Sequence, residues 1–97
     1  MEIKSLDDFK KSFQDESPSG TLSVYAKALW WARRGNWDKA HDLIQDVNDR
    51  KASQIHAYLH RVEGDISNAN YWYMKAGTQT PNYSLEEEWE DLVKKHL

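Results

Sequence analysis

The chain has 97 residues, a net charge of −3 from 13 basic and 16 acidic residues, no cysteine, five tryptophans and five tyrosines. That length predicts one domain over residues 1–97, burying roughly 60–70% of the surface exposed by the unfolded chain. The missing cysteines exclude disulfides, thiolate zinc sites and cysteine nucleophiles, the acidic balance offers no electrostatic footprint for nucleic acid, and no apolar run approaches a membrane span.

The opening stretch MEIKSLDDFKKSF is acidic as well as basic and lacks a long apolar run, so the expectation is a cytoplasmic protein without a secretory or transit leader. Ser5 followed by Leu6, Asp7 and Asp8 marks a helix start, and Leu6, Phe9 and Phe13 recur at helical spacing. This predicts an N-terminal cap helix over residues 5–16, stopped before Pro18, with Ser17-Pro18-Ser19-Gly20 as a breaker.

Residues 21–34 predict the leading helix of a first hairpin. Leu22, Val24, Tyr25, Ala26, Ala28, Leu29, Trp30, Trp31 and Ala32 leave it little polar face, so it is expected to be buried on several sides. Gly35 supplies a left-handed end, and Asn36 can then cap an outer helix over residues 37–48 whose stripe is Ala40, Leu43, Ile44 and Val47. Arg33, Arg34, Arg50, Lys51 and Arg61 fall near helix ends, where the dipole favours cations.

Twenty-nine residues later the plan recurs, carrying Ala28 onto Ala57, Gly35 onto Gly64, Asn36 onto Asp65 and Ala40 onto Ala69. A repeat of this length is a pair of helices that cannot bury its own apolar face and must stack on a neighbour. The second hairpin, residues 52–77, has a buried helix at 52–63 with Ile55, Tyr58, Leu59 and Val62 inward. Its outer helix at 66–76 turns Ala69, Trp72, Tyr73 and Ala76 inward and stops at Gly77. After a loop at 78–83, Ser84-Leu85-Glu86-Glu87 is a capping box for a C-terminal cap helix at 84–96. Leu85, Trp89, Leu92 and Val93 form its apolar stripe, and the Glu86 to Glu88 run reads as a solvated face. The expected fold is therefore all-α: two stacked antiparallel helical hairpins capped by N- and C-terminal helices, about six helices in all.

Residues 28–47 and 57–76 place a small residue inside the first helix, Gly then Asn or Asp at the turn, and alanine with large and small apolar residues down the second helix. In this they resemble the tetratricopeptide and Sel1-like repeat families, and Asn-Tyr-Trp-Tyr-Met-Lys-Ala-Gly at 70–77 resembles the end of a Sel1-like second helix. The resemblance implies a rigid curved surface for binding a protein partner. The twenty-nine-residue period is shorter than those families use, and two copies are fewer than the three such stacks generally contain. The run His56 to Asp65, with Asn68-Ala69 and Tyr71-Trp72-Tyr73 after it, also looks like a small bacterial family of unassigned function.

His56 and His60 sit one helical turn apart and share a face with Glu63; His41 can approach them if the hairpins stack. Imidazole and carboxylate ligands at this spacing suit zinc or another divalent ion, while hydrogen bonding at the core edge and contact with a ligand or partner remain alternatives. The residue after His56 is Ala57, so the glutamate general base of a His-Glu-x-x-His metalloprotease is absent, and no catalytic residue is assigned. Trp30-Trp31-Ala32-Arg33-Arg34 can be a stacking platform or simply a buried helix end. Tyr71, Trp72, Tyr73 and Met74 point all around their helix, leaving a ring for a partner unless Trp89 and Leu92 cover it.

The functional expectation is a small, non-enzymatic protein-interaction or adaptor domain without a cofactor, a monomer or weak homodimer, with His41, His56, His60, Glu63, Trp31, Trp72 and Tyr73 as contact residues. The alternative is a small-molecule or metal-binding protein, conceivably an enzyme, in which His41, His56 and His60 ligate and Trp31 and Tyr73 form walls.

Overall fold

A computed structural model describes residues 3–97, and among them there are six α-helices and no strand. The expected domain also included residues 1 and 2, which lie outside the described residues. The helices are α1 (Leu6–Lys11), α2 (Val24–Arg33), α3 (Trp37–Ile44), α4 (Arg50–Val62), α5 (Ile66–Ala76) and α6 (Leu85–Lys95). Each begins at a side-chain cap: Ser5, Ser23, Asn36, Asp49, Asp65 and Ser84 accept the amides of Asp8, Ala26, Lys39, Ala52, Asn68 and Glu87. A cap of this kind stabilises a helix by about 1 kcal/mol, so short helices form where hydrophobic periodicity alone is weak.

The internal repeat is reproduced bond by bond. Gly35 and Gly64 sit at φ 81° and 84°. The Asn36 amide donates to the Trp31 carbonyl at 3.0 Å, as the Asp65 amide does to His60 at 2.9 Å, and the Ala40 to Asn36 bond recurs as Ala69 to Asp65. The all-α architecture of two helical hairpins is thus present, α2 with α3 and α4 with α5.

Several boundaries differ from the expected ones. The N-terminal helix becomes a 3-10 turn at Ser12–Gln14, where the Ser12 hydroxyl donates to the Phe9 carbonyl at 2.6 Å and accepts the Trp30 indole N–H at 2.9 Å. Ser23, rather than the residues before it, caps α2, so residues 21–23 stay outside the helix. α3 stops at Ile44, four residues early, and α4 starts two residues early because Asp49 is a better cap than any residue nearer Ala52.

The C-terminal helix α6 packs on α2 and α4, and α1 packs on α6. Phe9 of α1 stacks on Trp89 of α6 with centroids 5.8 Å apart, and the Trp89 indole donates to the Leu29 carbonyl at 2.9 Å. Trp30 and Trp89 are fully buried, so the basic–aromatic run is used for packing. Arg34 lies 4.8 Å over Trp30 and Arg33 4.8 Å over Trp89. The arginines expected merely to suit helix ends instead reach across the fold, Arg33 to Glu86 and Arg61 to Glu88.

Glu88 is the clearest correction. Expected on a solvated face, it is 2% exposed. Its carboxylate accepts from Arg61 Nη1 at 2.9 Å and from the Tyr73 hydroxyl at 2.6 Å. Burial of a charge requires such partners, and here they come from α4 and α5, which fastens α6 to the second hairpin. Val62 and Leu85, expected inward, are exposed instead, at the last turn of α4 and the first of α6, where neighbouring helices no longer cover them. No described helix is long and apolar enough to cross a membrane.

Candidate metal centre

Helix α4 sets out His56 and His60 four residues apart, so their rings lie on one face, stacked with centroids 4.8 Å apart. Because α3 runs antiparallel to α2 and packs on α4, it brings His41 onto the same spot: His41 Nε2 lies 3.0 Å from His56 Nε2. One ring nitrogen from each of the three histidines falls within 4.8 Å of the others. A tetrahedral ion with bonds of about 2.05 Å wants nitrogens about 3.3 Å apart, so small side-chain rotations suffice to close the set around an ion.

The surroundings favour neutral, oriented imidazoles. His60 Nδ1–H donates to Glu63 Oε1 at 2.6 Å, which fixes the tautomer with its lone pair on Nε2. His56 is 5% exposed and His60 7%. Burial above all, then the neighbouring His41, His60 and Lys75, pushes the His56 pKa down to about 4, so the ring is neutral at physiological pH. Without an ion, the contact between His41 and His56 requires one Nε2–H donor and one Nε2 acceptor.

Two tryptophans enclose the cluster. The Trp72 ring stacks on His56 at 3.9 Å, and Trp37 stacks on His41 at 4.7 Å while its indole donates to the Leu59 carbonyl at 2.7 Å. Trp37 was not among the expected site residues, although its spacing of four from His41 on an amphipathic helix carries the signal for this stack. A second carboxylate near His60 belongs to Asp65, but it already caps α5 by accepting from Asn68.

Of the seven sequence-selected contact residues, the structure gathers His41, His56, His60, Glu63 and Trp72. Trp31 lies elsewhere: with Lys39, Asp42 and Leu43 it lines a separate cavity of about 260 Å³, and Lys39 Nζ sits 4.2 Å over its ring. Tyr73 is buried with its hydroxyl on Glu88, not facing the imidazoles as a wall. Burial and the Glu88 hydrogen bond both raise its pKa, so it remains a phenol and a donor. Trp72 is covered by the His56 ring rather than by α6, and the exposed large apolar side chains of α5 are Ile66, Tyr71 and Met74.

No protein-family model, curated protein or solved structure matches this chain.

Proposed function

We propose that the protein is a non-enzymatic helical binding module whose centre takes one divalent transition ion through His41, His56 and His60. The observation that carries this reading is the convergence of three imidazole nitrogens, contributed by both hairpins, within 4.8 Å, with Glu63 hydrogen-bonded behind His60. Imidazole sets of this kind suit zinc, copper, nickel or cobalt and not magnesium or calcium, which prefer oxygen. Glu63 is the outer carboxylate that metal-ligating histidines characteristically retain. Three protein ligands leave a tetrahedral position for water or for a group supplied by a partner. An ion held there joins α3 to α4 and therefore stiffens the junction of the hairpins.

The adaptor reading has its own supporting observation, since Met74 is 70% exposed and Tyr71 lies in solvent on the outside of α5. Large apolar side chains in such positions serve as anchors for a protein partner.

Titration of the purified protein with Co(II) tests the metal reading. The expected result is a visible absorption band from a low-symmetry site saturating at one ion per chain, displaced by Zn(II), with quenching of the tryptophan emission contributed by Trp37 and Trp72. His56→Ala and His60→Ala, shown to be folded by circular dichroism, should each lose the band. Wild-type protein that yields no band and no quenching at ion concentrations of about 100 μM overturns the reading.

A further inference from the structure

We propose that the protein associates head to tail with further copies of itself, repeating between molecules the contact that its first hairpin makes with its second. The internal repeat supplies the argument, because it relates each end of the stack to a surface already used inside the molecule. Within the chain, the first turn of α3 presses Trp37 onto α4, where it meets the Leu59 carbonyl and the His60 ring, with centroids 5.7 Å apart, while Trp72 of α5 stacks on the neighbouring His56.

Moving the presenting side forward by one repeat puts Ile66 where Trp37 stands. Ile66 is 49% exposed at the first turn of α5, with Val62 and Met74 exposed as well. Moving the receiving side back by one repeat puts Trp31 where His60 stands and Leu43 where Trp72 stands. These two residues line the cavity of about 260 Å³ on the first hairpin, which is open and bordered by Lys39 and Asp42. One end of the stack thus carries a receiving surface at whose Trp31 ring the Lys39 side chain lies, and the other an exposed apolar projection, built on the same helix-turn-helix geometry.

The chemistry has changed on both sides together. Inside the chain, Trp37 and His41 meet His56 and His60; between copies, Ile66 meets Trp31 and Leu43, with Lys27 in the place of His56 and Lys39 at the Trp31 ring. Asn70, the counterpart of His41, is hydrogen-bonded by the Thr80 hydroxyl of the following loop, which leaves Ile66 to make the contact. Such an interface joins two different patches, so it is heterologous, and repetition of it gives an open chain unless the rotation closes a ring. The contact is independent of the metal centre and needs no ion.

Sedimentation velocity from about 10 μM to about 1 mM in EDTA tests the proposal. The expected result is a weight-average mass that rises with concentration past that of a dimer. Ile66→Glu removes the projection and Asp42→Arg fills the receptor; both positions are exposed, and circular dichroism checks each fold. Each variant alone should remain monomeric, whereas an equimolar mixture should form a terminated 1:1 dimer, because each variant keeps the end that the other has lost. A wild type that stays monomeric throughout, a closed dimer indifferent to Ile66→Glu, or two folded variants that fail to pair overturns the proposal.

Discussion

His41 Nε2 and His56 Nε2 stand 3.0 Å apart, a hydrogen bond that ties the outer helix of the first hairpin to the inner helix of the second. One Nε2 must carry a hydrogen and the other a lone pair for it to form, and His60, 4.8 Å from His56 by ring centroid, adds a third imidazole to the same small volume. Protonating His56 places a cation among buried neighbours.

Acid should therefore weaken the fold. His56 has its pKa pushed from the ordinary 6.5 down to about 4 by burial first, and then by His41, His60 and Lys75. Burial lowers His96 in the same direction. Between those pH values the unfolded chain binds a proton that the folded chain refuses, so stability is full above about pH 6.5 and falls as the pH drops towards 4, by up to about 3 kcal/mol for His56. Urea midpoints measured at about pH 7.5 and about pH 4.5 in EDTA should differ in that sense, and His56→Gln should flatten the difference.

Glu63 should matter to ion affinity more than to folding. It orients His60 through one hydrogen bond at 2.6 Å from an exposed position. Glu63→Gln should weaken metal binding by about 10- to 100-fold while leaving one ion per chain, as measured by competition between Co(II) and a chromophoric chelator.

The buried ion pair should be asymmetric in its response to mutation. Glu88→Ala leaves the Tyr73 hydroxyl without its acceptor and the Arg61 guanidinium with the Tyr83 carbonyl but no carboxylate, and should cost about 3 kcal/mol in chemical denaturation. Tyr73→Phe removes one hydrogen bond from a carboxylate that keeps Arg61, and should cost about 1–2 kcal/mol. A double-mutant cycle on Tyr73 and Glu88 should give a coupling of about 1 kcal/mol or more; additivity within experimental error would mean that the hydrogen bond contributes nothing to the fold.

The two turn glycines should behave alike and unlike Gly20. Gly35 and Gly64 have φ of 81° and 84° with nothing within 4 Å of an added Cβ, so alanine there costs only the left-handed backbone, about 1 kcal/mol each. Gly20 has the same open space without that φ. Gly20→Ala should be neutral or should stabilise by up to about 1 kcal/mol. Thermal midpoints of the three variants would reveal the contrast.

The hairpins were legible because their signals are local. Gly35, Asn36, Gly64 and Asp65 fix their turns through bonds spanning three to five residues, and α5 begins and ends where Asp65 and Gly77 predict. The pairing of His56, His60 and Glu63 was legible for the same reason, since residues three and four apart on a helix are neighbours wherever the helix goes. Trp31 was misplaced because its face of α2 was inferred from composition: a helix that is apolar nearly all round gives no angular signal. Glu88 was misplaced because charge predicts exposure unless partners are known, and Arg61 and Tyr73 lie 27 and 15 residues away in sequence.

By itself the amino-acid order determined that the chain is helical, where its two tight Gly-Asn and Gly-Asp turns fall and that one hairpin is written twice, since capping, glycine geometry and hydrophobic period act within a few residues. Tertiary packing alone decided that His41 closes on His56 and His60, that Trp72 covers them while Trp31 borders another cavity, and that one glutamate of an acidic run is buried. These outcomes depend on how whole helices stack, and a side chain's partners across such a junction are set by the summed burial of apolar faces, to which no short stretch of sequence has access.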